Sequence, residues 1–327
     1  MVCNIIPKGE IKMSCADKIF IDMCQDILNN GTDTKDELVR PKWEDGTPAY
    51  TIKKFCVVNR YNLAEEFPAL TLRKTAFKSC VDEILWIWQK KSNNINDLNS
   101  HIWDEWADEN GSIGKAYGYE IGVSYIHHTL KDISSILIED MEDLSEYPSA
   151  EVIVDVPNDK AYVYLDQIDG VIYDLKHTPY NRRIMTNLYV HKDLHEMNLY
   201  PCAYSMTFNV TKDPVDNKLV LNGILNQRSQ DVLAANNWNV VQYSVLLHMI
   251  AQVCDMKVGE LVHVIADCHI YDRHVDTIKT LIEREPLPAP TFWINPDIKN
   301  FYDFTTNDVK LIDYNTHPQI KGIPVAI

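Results

Sequence analysis

The chain has 327 residues, 46% of them hydrophobic and 10% aromatic, with only 11 glycines, which excludes a disordered, collagen-like or low-complexity scaffold. Its 31 Lys and Arg against 47 Asp and Glu leave a formal charge of -16, the wrong sign for a protein that coats DNA or an anionic membrane. Any anionic ligand must therefore be met by a local cationic pocket.

No stretch reaches the ~20 apolar residues of a membrane span. Lys8, Glu10, Lys12 and Pro7 break the apolar character that a signal peptide needs, so a soluble cytoplasmic protein is expected. The 8 cysteines include no CxxC pair and read mostly as small buried hydrophobes. With no internal repeat and no linker rich in Gly, Pro and Ser, one domain over 1–327 is expected.

In chain order, a helix over 15–30 is closed by Asn29-Asn30-Gly31. A strand over Tyr50–Val58 follows, then a helix over 76–90 with Phe77, Cys80, Val81, Ile84, Leu85 and Trp88 on one stripe. Residues 123–165 are acidic and punctuated by Pro148 and Pro157, which reads as an inserted surface subdomain. Strands are expected at Arg183–Tyr189, Ala203–Val210, Lys218–Leu225 and Leu261–Ile265. A further apolar stripe, from Tyr243 through Leu246, Leu247, Ile250, Val253 and Cys254, predicts a buried helix that stops near Lys257 and Gly259. The final segment ends in apolar PVAI and is expected to dock, since chain ends are normally polar. The fold class is α/β, of mixed α+β type.

Pro201 cannot donate to a sheet ladder, so Cys202 is placed to project from a strand edge; a lone cysteine is nonetheless most often structural. Arg182-Arg183 and Gln227-Arg228-Ser229-Gln230-Asp231 offer fork-shaped donors suited to phosphate, with surface solvation as the alternative. His269 and Tyr271 share one face of an extended segment, as a ligand pair or a satisfied core pair. Glu83 lies beside a buried stripe, where a carboxyl pKa would rise toward the range of an acid/base group. Trp103, Trp106, Trp86 and Trp88 could stack a planar ring or simply fill a core. His191 and His195 lack a HExxH context, so no metal is expected.

Taken together, these segments resemble the thymidylate synthase family over most of the chain outside 123–165. The residues that carry the likeness include Asp82-Glu-Ile-Leu-Trp86, His101-Ile-Trp-Asp-Glu-Trp-Ala-Asp-Glu-Asn-Gly111, Asn181-Arg-Arg183, Pro201-Cys202 and Gln227-Arg-Ser-Gln-Asp231. It continues through Asn239, His248-Met-Ile-Ala-Gln-Val253, Asp267-Cys-His-Ile-Tyr271, Arg284-Glu-Pro286, His317-Pro-Gln-Ile-Lys321 and Pro324-Val-Ala-Ile327. The resemblance implies a large twisted mixed sheet with flanking helices, packed back to back with its twin in a homodimer.

It also implies a chemistry in which Cys202 adds to C6 of 2′-deoxyuridine 5′-monophosphate (dUMP) and 5,10-methylene-tetrahydrofolate supplies one carbon to C5. By the same likeness Arg228 favours the thiolate and holds phosphate, together with Ser229, the partner's Arg182 and Arg183, and Arg40. Asn239 reads the pyrimidine, Gln227 belongs to the nucleotide-binding run, and His269 and Tyr271 bind the sugar hydroxyl. Glu83 acts through ordered water and Tyr117 helps remove the C5 proton. Trp103, Trp106, Asp231 and Trp238 border the folate, and Ile327 closes over it at the end of a tail spanning 318–327.

Departures from the family pattern bear on the product. Ala234-Ala-Asn-Asn-Trp238 stands where an apolar turn is usual, Ala266 precedes Asp267, Ala203 follows the nucleophile, and Ile323 reads as an extra tail residue. Asn236 and Asn237 holding a water would favour capture of the exocyclic methylene, giving a 5-hydroxymethyl nucleotide as some viruses with modified bases use. That reading leads; hydride transfer to give thymidylate is the alternative, and a non-catalytic nucleotide- or RNA-binding relative a remote one.

Overall fold

The computed structural model describes residues 13–130 and 143–326. Helix α1 (Cys15–Asn30) begins at Ser14, whose side chain accepts from the Asp17 amide, and stops at Gly31. A Cβ at Gly31 would lie 2.4 Å from the Ile27 carbonyl oxygen, so the closing turn needs glycine there. After it come β1 (Thr32–Asp33), β2 (Thr51–Asn62), α2 (Phe77–Trp88), α3 (Gly118–Ile121), β3 (Tyr125–Leu130), β4 (Glu151–Asp155), β5 (Lys160–Leu165) and α4 (Gln167–His177). Then follow β6 (Met185–Asn187), β7 (Ala203–Lys212), β8 (Leu219–Gln227), β9 (Gln230–Asp231), α5 (Trp238–Val253), β10 (Lys257–Tyr271), α6 (Val275–Ile282), β11 (Thr291–Ile294) and β12 (Val309–Ile312).

These elements fall into two compact units interleaved along the chain: Met1–Asp82, Cys202–Tyr204 and Lys212–Ile327 form one, Glu83–Pro201 and Ser205–Thr211 the other. The chain passes between them inside helix α2, at Pro201–Cys202 just before β7, and twice inside β7, with no change of composition to announce it. That is why the sequence reads as one domain.

The first unit is built on a mixed sheet in the order β1–β2–β10–β8, with β9 also beside β10. Strand β2 runs antiparallel to β10, whereas β8 and β9 run parallel to it. Parallel neighbours need a crossover, which α5 supplies between β8 and β10. Its residues Val240, Val241, Val245, Leu246, Leu247, Met249 and Ile250 are all buried, as a helix apolar on every side must be. On α1, Phe20 and Ile27 are fully buried, each worth about 2–3 kcal/mol of transfer free energy. Gly259, expected as a helix stop, instead sits inside β10 where the pairing to β8 shifts register, and Lys257 is already strand.

Asp17 is sealed inside this unit and accepts from the Thr71 amide at 2.8 Å, from the Thr71 hydroxyl and from the Leu72 amide at 3.4 Å. Burial pushes its carboxyl up from 3.8 to about 6, against the opposing pull of those donors. A raised folded-state pKa means that the folded protein holds this proton more tightly than the unfolded chain does. The stabilisation is complete below the unfolded value and is lost as pH rises through about 6. The expected size is about 3 kcal/mol, from roughly two units at 1.36 kcal/mol each. Asp17→Asn should remove this dependence: the gap in unfolding free energy between variant and wild type, measured by urea titration at pH 4.5 and 8, should shift toward the variant at the higher pH by about 2 kcal/mol, since the unfolded carboxyl is already mostly ionised at pH 4.5.

The second unit carries the antiparallel sheet β3–β5–β4 and the antiparallel pair β6–β7. The sheet lies within the segment read as an insertion, and β5 turns Ala161, Val163 and Leu165 inward; residues 131–142 of that segment lie outside the described part. Asp166 caps α4 by accepting from the Asp169 amide at 3.0 Å and is ion-paired with Lys91. Neither α4 nor the pair β11–β12 is expected from the sequence.

Candidate active site

In the first unit, Cys202 immediately precedes β7, where Pro201 ends the preceding loop without offering an amide to the ladder. Backbone pairing holds the next element against it: the Arg228 amide donates to the Cys202 carbonyl at 2.9 Å, and the Arg228 carbonyl accepts from the Asp267 amide at 3.2 Å. Arg228 follows β8 directly, and this pairing brings its Nη2 to 3.5 Å from Cys202 Sγ. Burial raises the thiol above its ordinary range, and the Arg228 guanidinium pulls it part of the way back. The thiol is half-buried, not sealed in hydrocarbon.

His269 and Tyr271 share one face of β10, with ring centroids 5.0 Å apart. Asp267 fixes the imidazole by a 2.9 Å contact from Oδ1 to His269 Nδ1, and its other oxygen takes the Lys53 ammonium at 2.6 Å. Burial drives the Tyr271 hydroxyl up to about 12, with Asp231, Asp267 and Cys202 adding to the rise and Arg40 opposing it. Those influences show that Arg40, Cys202, Asp231 and Tyr271 are gathered in one electrostatic neighbourhood. Arg40 is exposed, Ser229 is half-buried, and the Asn239 amide donates to Gln242 Oε1 at 3.2 Å.

Gln227 is committed elsewhere. Its Nε2 donates to the Ser229 carbonyl at 2.9 Å and its Oε1 lies 2.8 Å from His263 Nε2, an imidazole kept neutral by burial. It shapes the loop that carries Arg228 and Ser229.

Asp231 Oδ1 accepts from the Leu233 amide at 2.9 Å and the Ala234 amide at 3.1 Å, which starts the turn leading to Trp238. In that turn Asn237 is spent on structure: Nδ2 donates to the Pro68 carbonyl at 2.6 Å and Oδ1 accepts from the Leu70 amide at 3.2 Å. Arg73 donates to the Asn236 carbonyl. Arg73, Lys74, Asn236, Trp238 and Ile323 line a cavity of about 150 Å³. The sequence pattern gives no sign of Arg73 or Lys53 as site residues, because each acts through a partner far away in the chain.

In the second unit, Glu83 is buried on α2 and its Oε1 accepts from Trp103 Nε1 at 3.0 Å. The Trp103 ring packs edge-on against Trp106 at 5.6 Å and Tyr117 at 5.1 Å, and tilted against Trp86 at 6.1 Å. Trp86 and Trp88 are fully buried core residues, whereas Trp106 is half-buried. Arg182 and Arg183 are both exposed, on the turn between α4 and β6. Ile327 lies outside the described residues. Among those residues no group of three or more His, Cys, Asp and Glu is arranged to hold a metal ion, and no helix is long and apolar enough to cross a membrane.

In the first unit, the Cys202 thiol thus lies beside the Arg228 guanidinium, on a sheet that also carries the His269 imidazole oriented by Asp267. The thymidylate synthase family model matches residues 18–327. The chain is 40% identical over 306 residues to a thymidylate synthase of Bacillus subtilis subsp. natto, covering 92% of this chain and 96% of that protein. It is 39% identical over 306 residues to the thymidylate synthase of Bacillus phage phi3T, with the same coverage. The solved thermostable thymidylate synthase A from Bacillus subtilis superposes with a TM-score of 0.78 at 37% identity, covering 95% of this chain and 99% of that one. The chain belongs to the thymidylate synthase family.

Proposed function

We propose that the protein is a folate-dependent one-carbon transferase that methylates dUMP at C5, giving thymidylate and dihydrofolate. The observation that carries this reading is Cys202 Sγ held 3.5 Å from Arg228 Nη2 at the start of β7. The cavity of about 150 Å³ lined by Arg73, Lys74 and Trp238 is too small for the whole co-substrate, but its indole wall and the Lys74 ammonium suit one edge of a carboxylate-bearing aryl group. When bound, methylene-tetrahydrofolate supplies the carbon and the hydride.

The rest is the chain's own work. Cys202 thiolate bonds to C6 of the uracil, the C5–C6 π pair moves toward C5 and makes it the nucleophile, and departure of Sγ at the end restores the double bond. Arg228 holds the phosphate with Ser229 and Arg40 and lowers the cost of ionising the thiol. Asn239 pairs with the uracil edge, and His269, oriented by Asp267, meets the sugar hydroxyl with Tyr271. Glu83 moves protons through water and Tyr117 assists at C5. Trp103, Trp106, Asp231 and Trp238 border the folate, and the tail ending in Ile327 excludes water.

Water capture to a hydroxymethyl product rested on Asn236 and Asn237 holding a water. The Asn237 amide is instead bound to Pro68 and Leu70, and the relatives are named as thymidylate synthases, so support passes to hydride transfer. Incubation with dUMP and methylene-tetrahydrofolate is expected to give thymidylate with stoichiometric dihydrofolate, followed by its absorbance rise. Hydroxymethyl nucleotide with tetrahydrofolate would reverse the assignment.

The active unit is a homodimer in which Arg182 and Arg183 reach the phosphate of the partner's site. Both are exposed, and the sheet of the first unit offers an apolar face for pairing. Val58 and Val264 are register partners there, as are Val262 and Ile224, with Val58 and Ile224 at 45% and 38% exposure.

A further inference from the structure

The C-terminal tail is fastened at widely spaced points. The His317 amide donates to the Thr71 carbonyl at 2.9 Å, and Arg284 Nη1 bridges the carbonyls of Leu72 at 2.7 Å and Pro318 at 3.0 Å. Farther along, past Gly322 in the left-handed region at φ 67°, the Pro324 carbonyl lies 2.8 Å from His274 Nε2. The other ring nitrogen, Nδ1, lies 3.4 Å from Asp231 Oδ1, an ion-pair distance without hydrogen-bond alignment.

The His274 side chain is completely buried, walled by the edges of Trp43 at 5.7 Å and Tyr271 at 5.6 Å. Trp43 is itself pinned, because its Nε1 donates to Asp272 Oδ1 at 3.1 Å and the Arg273 guanidinium lies 4.9 Å over its ring. The charged groups acting on His274 are Asp231 and Asp272, with the Tyr271 ring against its edge, while Arg273 is engaged by Asp45 at 2.7 Å.

We propose that His274 is a positioning residue that latches the tail, its imidazolium spanning the Asp231 carboxylate and the Pro324 carbonyl so that the closing segment is tied to the residue bordering the folate. The inference rests on the preceding reading that the tail closes over that site.

An imidazolium donates Nε2–H to the Pro324 carbonyl and holds the Asp231 carboxylate by charge at 3.4 Å; a neutral imidazole keeps at most the first tie. The ring is sealed, and no water can take the missing place. Burial presses the pKa down, but Asp231, the Pro324 carbonyl and Asp272 outweigh it and leave it above the ordinary 6.5. A raised value means that the charged latch is present at and below the ordinary imidazole range and is lost as pH rises through the folded-state value.

The test is removal of the last residues by carboxypeptidase Y, followed by mass spectrometry and normalised at each pH to a free peptide of the same ending. His274→Phe should release them about tenfold faster than wild type, the size of one charge-assisted bond. His274→Gln, whose amide still donates to Pro324 but takes up no proton, should stay near the wild-type rate at pH 8 and lose the rise with pH that wild type shows. In turnover, the Phe variant should raise KM for methylene-tetrahydrofolate about tenfold and leave dUMP affinity unchanged.

A Phe variant digested at the wild-type rate, or a Gln variant that keeps the wild-type pH dependence, overturns the latch. If the Phe variant does not fold, the Gln pH dependence decides alone. Digestion needs no turnover, so a wild-type protein that forms no thymidylate defeats the functional reading without touching this one.

Discussion

Replacing Cys202 with alanine is expected to lower turnover by a factor on the order of 10⁴ or more while leaving dUMP affinity within a few-fold of wild type. The reaction as proposed has no route to a C5 nucleophile without a covalent bond at C6, so the loss falls on the chemical step. The substitution removes one half-buried sulfur from the end of a strand that the Arg228 amide and Cys202 carbonyl already tie down at 2.9 Å, and that backbone bond survives it. Isothermal titration with dUMP separates the two effects: binding without turnover is the expected pair of results. Turnover within tenfold of wild type would remove the covalent mechanism.

The same site explains why the nucleophile needs its neighbour. Burial raises the thiol, and the guanidinium opposes this without reversing it, so the free thiol stays protonated at neutral pH and further positive charge would favour its ionisation. A phosphate arriving on Arg228 would draw on the same cation, so the thiolate and the phosphate compete for it unless further cations join. Under the proposed homodimer, exposed Arg182 and Arg183 of the partner subunit would relieve that competition, and the dimer would take part in the ionisation of Cys202.

What the sequence makes legible depends on how far an interaction reaches along the chain. The start of α1 at Ser14 and its end at Gly31 are written in neighbouring residues, as is the strand that follows Pro201 and Cys202. The spacing of His269 and Tyr271 puts both on one face once β10 is known to be extended. Contacts between distant residues leave no such pattern. Asn237 is bound to Pro68 across 169 residues, and Trp43 to Asp272 across 229, so a polar pair that reads as a water site is a clamp. Gly259 carries the punctuation of a helix stop, yet sits at a bulge in β10 because the side chain of Asn222 crowds it: a Cβ there would lie 2.3 Å from Asn222 Oδ1. Lys53 likewise meets Asp267 only because β2 and β10 pair in one register.

Glu83→Gln is the substitution that separates a chemical carboxylate from a structural one. The Gln oxygen can still accept from Trp103 Nε1, now 3.0 Å away, so the cluster of Trp103, Trp106 and Tyr117 keeps its anchor and the variant should melt within a few degrees of wild type. What the amide cannot do is take up and release a proton. Loss of a positioned acid/base group typically costs 10²–10⁴ in rate, and a fall of about that size in kcat, with dUMP affinity little changed, is the expected outcome. Glu83→Ala serves as the contrast: it strands a buried indole N–H, at about 1–3 kcal/mol, and so should lower both stability and turnover. If the Gln variant turned over at the wild-type rate while the Ala variant only lost stability, Glu83 would be an anchor for Trp103 and the proton path would have to run through Tyr117 and solvent.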